Sequence, residues 1–349
     1  MRILHLATDI YGGHGGIALY NRDFVAGLAK HPEVEEIVVL PRIIHSAPGP
    51  LPAKVRFLTA AARNKVAYGA TLTATLTRER PFDLVTCAHI NLLPFTLFTR
   101  QSPLLLIYGI EAWQPHWLPP KLRGVASISD LTLGRFRAWA GAGAPSFLLP
   151  NAIDRSLYAI SPKNHALLDR YGLRGKRVLL TVGRVVAEER YKGFDEVIDV
   201  LPELPHDVAY VIAGGGSDIE RLRAKAHGCG VGDRVVFTGL FDDREKPDLY
   251  NLADVYVMPS RGEGFGFVLL EALASGVPVI GSRHDGGREA LRNGDLGILV
   301  DPSACAELRA AILELLGRNE RRVPEGLAYF AVEQFDARVH AMLGALELR

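Results

Sequence analysis

Short runs of consecutive, largely apolar and often β-branched residues recur along this chain in two separate series, and this restricts the fold more than any other feature. The first series holds ILHLAT (3–8), EIVVLP (36–41), VRFL (55–58), DLVTCA (83–88), PLLLIYG (103–109), VASIS (125–129) and SFLLP (146–150). The second holds RVLLTVG (177–183), VAYVIAGGG (208–216), RVVFTG (234–239), DVYVMPS (254–260), VPVIGS (277–282) and GILVDP (297–302). Strands that are apolar without alternation must be covered on both faces, the condition of a parallel sheet between layers of helix. Longer amphipathic segments fill the intervals, so each series predicts a doubly wound α/β sheet. At 349 residues the chain is too long for one ordinary core and has room for two.

The expected partition is an amino-terminal Rossmann-like domain over 1–152, a second over 153–327, and a closing helical segment over 328–349. The hinge is placed in PNAIDRSLYAISP (150–162), where prolines and turn formers break the periodicity. The closing segment YFAVEQFDARVHAMLGAL follows the polar break GRNERRVPEG, and its apolar spacing permits it either to cap the second domain or to return to the first. Ligands of such sheets collect beyond the carboxyl ends of the strands, so two facing sheets would hold a site in the cleft between them.

Composition removes several other classes. Cys87, Cys229 and Cys305 neither pair in number nor show the spacing of zinc ligands, which reads as a reduced, cytoplasmic protein. The opening MRILHLATDIYGG has a short apolar run and no small-residue cleavage site, so it reads as a buried strand rather than a leader. No apolar segment reaches the roughly 18 residues of a spanning helix. Residues 1–155 carry 16 Lys and Arg against 10 Asp and Glu, and the remainder 24 against 29. The basic half can meet an anion; nucleic acid is not expected as a partner.

GHGGIA (13–18) satisfies G-x-G-x-x-A, the outline of a dinucleotide loop. The context is wrong for one. The first strand ends near Ala7, the insert DIYGG intervenes, and Arg42 stands where the ribose-binding acid would end the second strand. What remains is a loop feeding a helix, whose free N–H groups at Gly15 and Gly16 favour a phosphate or a polar sugar edge; the alternative is a turn that only needs positive φ. A second cluster, AGGGSDIERL (213–222), offers Gly215 to a ligand or is a tight turn capped by Ser217 or Asp218.

The segment RGEGFGFVLLEALASGVPVIG (261–281) carries Glu263 and Glu271 eight positions apart. Were both helical they would lie roughly 12 Å apart. That exceeds the roughly 5 to 9.5 Å between the carboxyls of a glycosidase. The span suits a ligand with a sugar at one end, a ribose at the other and a diphosphate between them. Gly264 and Gly266 lack Cβ, so a diphosphate can approach the amides of Phe265, Gly266 and Phe267 at a helix N-terminus. The plainer readings are a first-turn acid for Glu263 and a solvated helix face for Glu271. Arg184 and Lys192, in GRVVAEERYKG after the strand LLTVG, supply cations at the same strand edge, unless they are a surface pair for Glu188 or Glu189. No D-x-D occurs in the chain, so no metal-binding carboxylate pair and no metal or cofactor are expected.

Taken together, these residues resemble the retaining, nucleotide-sugar-dependent glycosyltransferases of family 4, which have the GT-B fold: two Rossmann-like parallel-sheet domains facing across a cleft. The resemblance rests on EGFGFVLLE, on GR with a downstream KG at 183–193, on PNAID, on FTG at 237–239, and on DGGREAL with GILVDP. It implies that Glu271 binds ribose hydroxyls, Glu263 the transferred sugar, and Arg184 and Lys192 the diphosphate, with Gly15 and Gly16 on the donor or acceptor side. It further implies a closing segment that returns to the first domain, and front-face transfer from a nucleoside-diphosphate sugar, UDP- or GDP-linked, used as substrate.

One departure stands out. Where many relatives have histidine in a strand-end HGxE, this chain reads YGIEAW with Tyr108. Tyrosine can donate a hydrogen bond to the sugar but is a poor base near neutral pH. A required proton acceptor would then be His89 or His14. The acceptor is expected to be a glycan or lipid-linked glycan of the cell envelope. Residues 54–80, with Lys54, Arg56, Arg63, Lys65, Arg78 and Arg80 against Glu79, read either as peripheral membrane contact or as an ordinary helix with a solvated face. The rivals are a sugar-nucleotide epimerase of the same fold and a non-catalytic subunit that binds nucleotide sugar. The base would rest on contacts around Phe237 to Asp242 that carry no legible code.

Overall fold

The computed structural model describes residues 1–13, 15–318 and 321–346, so His14 lies outside the described residues. Its contacts divide the chain into two compact units, Met1–Ala152 with Phe330–Arg349, and Ile153–Tyr329.

The first unit is built on strands β1 (Arg2–Ala7), β2 (Glu36–Pro41), β3 (Val55–Phe57), β4 (Leu84–Ala88), β5 (Leu104–Ile107), β6 (Gly124–Ser127) and β7 (Ser146–Leu148). They form one sheet in the order β3-β2-β1-β4-β5-β6-β7, parallel throughout. All six residues of the central β1 are buried, which is why its sequence shows no alternation. Even His5 is fully buried there, beside Thr86 Oγ1 at 2.8 Å, and burial lowers its pKa to about 3. Strand β5 stops at Ile107, earlier than its apolar run, because the amides of Tyr108 and Gly109 turn to the Glu111 carboxylate at 2.5 and 3.1 Å.

The second unit holds β8 (Arg177–Val182), β9 (Val208–Ala213), β10 (Val235–Gly239), β11 (Val255–Met258), β12 (Val279–Ser282) and β13 (Ile298–Val300) in the parallel order β10-β9-β8-β11-β12-β13. The order reverses between β8 and β11, so the loops after these two strands part to opposite sides and leave the crevice where such sheets take ligands.

The closing helix Val332–Ala345 lies against helix Gly16–Lys30 in the first unit. Phe335 meets the Tyr20 ring edge-on at 5.5 Å, Lys30 donates to Asp336 at 2.6 Å, and Val339 and Met342 are buried. The basic stretch divides in two. Lys54 donates to the His31 carbonyl and Arg56 pairs with Glu36 and Glu79, so these two cations are structural. Helix Lys65–Arg78 buries Tyr68, Leu72 and Thr75 and leaves its other face to solvent. Among the described residues, no helix is long and apolar enough to cross a membrane.

Candidate functional site

Glycine joins the two loops beside the β8/β11 crevice. Gly193, at φ 89°, lies so close to the loop after β11 that an added Cβ would fall 2.5 Å from the Pro259 carbonyl oxygen. The contact brings the 3-10 segment Ala187–Lys192 over the start of the E-x7-E segment. Lys192 Nζ lies 2.6 Å from Glu263 Oε1 and 3.5 Å from Glu189 Oε2, its stem resting on Gly183. The Lys192 and Glu263 side chains are 14% and 16% exposed. Burial works against the Lys192 charge, but attraction and hydrogen bonding from Glu263, with Glu189 behind it, outweigh that and raise its pKa. Arg184 reaches the same cluster through Glu189, while most of its side chain extends into solvent.

Glu263 does not belong to the helix. The chain passes through Gly266 in the left-handed region (φ 84°, ψ 62°), and the helix Phe267–Ala274 begins only after it. The separation of roughly 12 Å for two helical glutamates therefore does not apply. No side chain caps this helix, so its first turn offers its partial positive charge to the crevice side. Phe265 and Gly266 are buried, while Gly264 and Phe267 are half-buried, so Phe265 anchors the loop by its ring.

What holds this loop is Asp285, which the sequence shows only as the first residue of DGGREAL, with no role attached. It is fully buried, accepting from Ser260 Oγ at 2.6 Å, from the Glu263 amide at 3.0 Å and from the Gly287 amide at 2.9 Å. Its neighbour Gly286 has no room for a Cβ, which would sit 2.0 Å from the Gly264 oxygen. Burial pushes the Asp285 pKa up to about 6; the Ser260 bond and the two amides pull against it. The folded value exceeds the unfolded value of about 3.9, so the contribution to stability is present below about pH 4 and is lost as pH rises through about 6. Relative to Asp285→Asn, the wild type is expected to lose up to about 3 kcal/mol of stability between pH 4 and pH 7 in urea denaturation. A flat difference over that window would rule the titration out.

Glu271 lies apart from the Lys192 cluster and is 1% exposed. Its Oε1 accepts from Tyr158 at 2.7 Å and Lys246 at 2.5 Å, and its Oε2 accepts from Tyr250 at 2.6 Å. It is thus a satisfied buried carboxylate rather than a residue of a solvated helix face, and a ribose would have to share or displace these donors. Tyr158 comes from the hinge segment and Lys246 from 25 positions upstream, so nothing in the local spacing announces the cluster.

The cluster Gly214–Gly216 is accounted for by backbone packing. An added Cβ would fall 1.9 Å from the Gly183 oxygen at Gly214, 2.0 Å from the Val185 oxygen at Gly216, and 2.7 Å from Leu240 Cγ at Gly215. The Gly215 carbonyl already accepts from the Val185 amide at 3.0 Å. These glycines lock the loop after β9 to the loop after β8.

The remaining candidates belong to the first unit. Tyr108, expected to offer its hydroxyl to the sugar, donates it to Asn21 Oδ1 at 2.6 Å and is 7% exposed. Burial raises its pKa well above the usual tyrosine value, and the hydrogen bond ties the end of β5 to helix Gly16–Lys30. Gly15 has φ 86°, and among the described residues beyond their chain neighbours neither Gly15 nor Gly16 has an atom within 4 Å of where a Cβ would stand. That space at an uncapped helix start is open to a ligand. His89 Nδ1 accepts from the Asn91 amide at 3.1 Å, and burial lowers its pKa. The neutral ring then carries its proton on Nε2 and presents a donor.

Residues 169–324 match the family model described as glycosyl transferases group 1. The chain is 36% identical over 215 residues to a GDP-mannose-dependent alpha-(1-6)-phosphatidylinositol monomannoside mannosyltransferase of Mycobacterium tuberculosis (strain CDC 1551 / Oshkosh), covering 58% of this chain and 55% of that protein. It is 36% identical over 256 residues to a phosphatidyl-myo-inositol mannosyltransferase of Mycobacterium leprae (strain TN), covering 70% of this chain and 63% of that one. The chain thus spans just over half the length of the first of these relatives. Among solved structures, Anabaena Alr3699/HepE in complex with UDP-glucose superposes with a TM-score of 0.79 at 20% identity, over 99% of this chain and 100% of that one. This likeness shows the fold, two Rossmann-like parallel-sheet units of the GT-B class.

Proposed function

We propose that this chain is a retaining, metal-independent glycosyltransferase, a reading supported by the match of its residues 169–324 to the family model described as glycosyl transferases group 1. It moves a hexosyl group from a nucleoside-diphosphate sugar to a hydroxyl of a glycan or lipid-linked acceptor. The observation that carries this reading is the Lys192–Glu263 pair, 2.6 Å apart, beside the uncapped start of helix Phe267–Ala274. The ammonium and the helix end together favour a diphosphate, and the second Glu263 oxygen remains to accept from a sugar hydroxyl. Arg184, exposed and paired with Glu189, is in a position to turn to the departing phosphates. The half-buried Phe237 and the 91% exposed Leu240 give the nucleotide base an apolar rest at the end of β10.

Each carboxylate of the cluster is engaged, Glu263 with Lys192, Glu189 with Arg184 and Lys192, and Asp285 with three donors, which supports a reaction without an enzyme nucleophile. Front-face transfer follows: the anomeric carbon–phosphate oxygen bond breaks, the bond to the acceptor oxygen forms on the same face, and the acceptor proton passes to the departing phosphate. Relatives named for GDP-mannose and phosphatidylinositol mannosides make GDP-mannose and an inositol lipid the first pair to try. We place the protein in the cytoplasm, touching the membrane through helix Lys65–Arg78, where Val66 is 81% exposed and Lys65 and Arg78 form no ion pair among the described residues.

Nucleotide release is the test, with GDP-mannose and UDP-glucose, each with and without phosphatidylinositol vesicles. Release that depends on the lipid, together with flotation of the protein on those vesicles, is the expected result. Isomerisation of the donor without acceptor would favour the epimerase. Donor binding without turnover, gained only with Tyr108→His, would favour the non-catalytic subunit. Turnover without flotation would remove the membrane contact alone.

A further inference from the structure

A cavity of about 550 Å³ lies in the first unit, and its lining includes none of the residues assigned to the donor. Its wall is made by segments that precede β5, β6 and β7, so it opens at the amino-terminal edge of the sheet, opposite the carboxyl ends where doubly wound sheets take their ligands. The room comes from sequence: among the described residues beyond their chain neighbours, Gly141 (φ 80°) and Gly143 have no atom within 4 Å of a would-be Cβ, and Pro119 and Pro120 stiffen the facing loop. Phe136 and Val125, both buried, form an apolar floor.

The charge on this wall has one sign. Arg100, Lys121, Arg123 and Arg137 line it, with no Asp or Glu. Arg123 is anchored by donating to the Leu346 carbonyl at 2.8 Å. The side chains of Arg100, Lys121 and Arg137 have neither ion pair nor hydrogen bond among the described residues. Like charges gathered in a concavity with a low-dielectric floor concentrate an attractive field for anions. Guanidinium groups match phosphate oxygens in geometry as well as charge. The volume falls within the roughly 300–1,000 Å³ typical of small-molecule sites.

We propose that this cavity binds a phosphate-bearing small molecule, its phosphate against Arg100, Lys121 and Arg137 and an apolar portion against Phe136. The ligand is either a soluble phosphate ester or a phospholipid headgroup. Two probes separate the sources: inorganic pyrophosphate and dihexanoyl phosphatidylglycerol, titrated calorimetrically into the full chain with GDP present to fill any donor site. If the protein binds no GDP, the titration is made directly, so failure of the glycosyltransferase reading leaves this test standing. The triple variant Arg100→Gln, Lys121→Gln, Arg137→Gln is expected to weaken the tighter probe at least tenfold. The charge-matched variant Arg170→Gln, Arg309→Gln, Arg318→Gln, which removes exposed cations of the second unit, should change it less than twofold, and both variants should melt within a few degrees of wild type. Tighter pyrophosphate binding identifies a soluble ester, and tighter lipid binding a headgroup. Equal weakening in the two triple variants, or no binding of either probe, overturns the proposal.

Discussion

Lys192→Ala is expected to lower kcat/KM for glycosyl transfer by roughly 10²–10³-fold, the scale on which a preorganised group facing developing negative charge acts. Lys192 is half-buried and already aligned by Glu263, so little reorganisation precedes its action on the diphosphate. Its removal also leaves Glu263 and Glu189, with side chains 16% and 9% exposed, without a shared counter-charge. Steady-state kinetics beside a thermal melt separate the two effects: a folded variant with a large rate deficit supports the role, and a loss below tenfold in a folded protein would end it. Arg184→Ala should cost less, because that side chain is 78% exposed and gains its place only when a ligand arrives.

Glu271→Ala is expected to be the most damaging single change for stability, at about 3–5 kcal/mol, the usual result of breaking a buried charge pair. It would strand the Lys246 ammonium and the Tyr158 and Tyr250 hydroxyls that now share one carboxylate. Urea denaturation measures this loss. Glu271→Gln keeps an acceptor oxygen for a tyrosine while removing the charge, so it should recover part of the stability. Under the ribose-binding reading, Glu271→Gln should still weaken GDP binding tenfold or more, whereas Glu263→Gln should spare GDP binding and impair transfer. Equal nucleotide affinity in Glu271→Gln and wild type would make Glu271 a structural residue only.

The fold was legible because its signal is a composition of segments. A strand buried on both faces needs apolar residues at every position, and β1, β4 and β9, each buried along its whole length, announce themselves by that alone. The ends of elements were less legible. The helix carrying Glu271 starts at Phe267 because Gly266 takes a left-handed conformation, and β5 stops where Glu111 captures two amides. Both outcomes depend on which partner a backbone group finds, and the apolar pattern is silent about that.

The same division runs through the candidate site. Arg184, Lys192, Glu263 and Glu271 were readable as charged residues following strand ends in a fixed order. Glu189 was legible as a neighbouring partner for Arg184 and Lys192, and Asp285 only as a member of DGGREAL without a role; Tyr158, Tyr250 and Lys246 were not legible, since these contacts run across 21 to 113 positions of chain. Gly215 and Tyr108 show the converse, residues of suggestive type whose glycine space and hydroxyl are taken up by Leu240 and Asn21.

By itself the sequence determined two parallel sheets, the strand-end positions of the chemistry-bearing residues, and their resemblance to a sugar-transferring family. Only the tertiary structure decided that Lys192 meets Glu263, that Glu271 is enclosed by two tyrosines and a lysine, and that the closing helix rests on helix Gly16–Lys30. The physical reason is range: hydrophobic periodicity is a property of neighbours in the chain, whereas the partner of a buried charge is chosen by whatever the fold brings within about 3 Å of it.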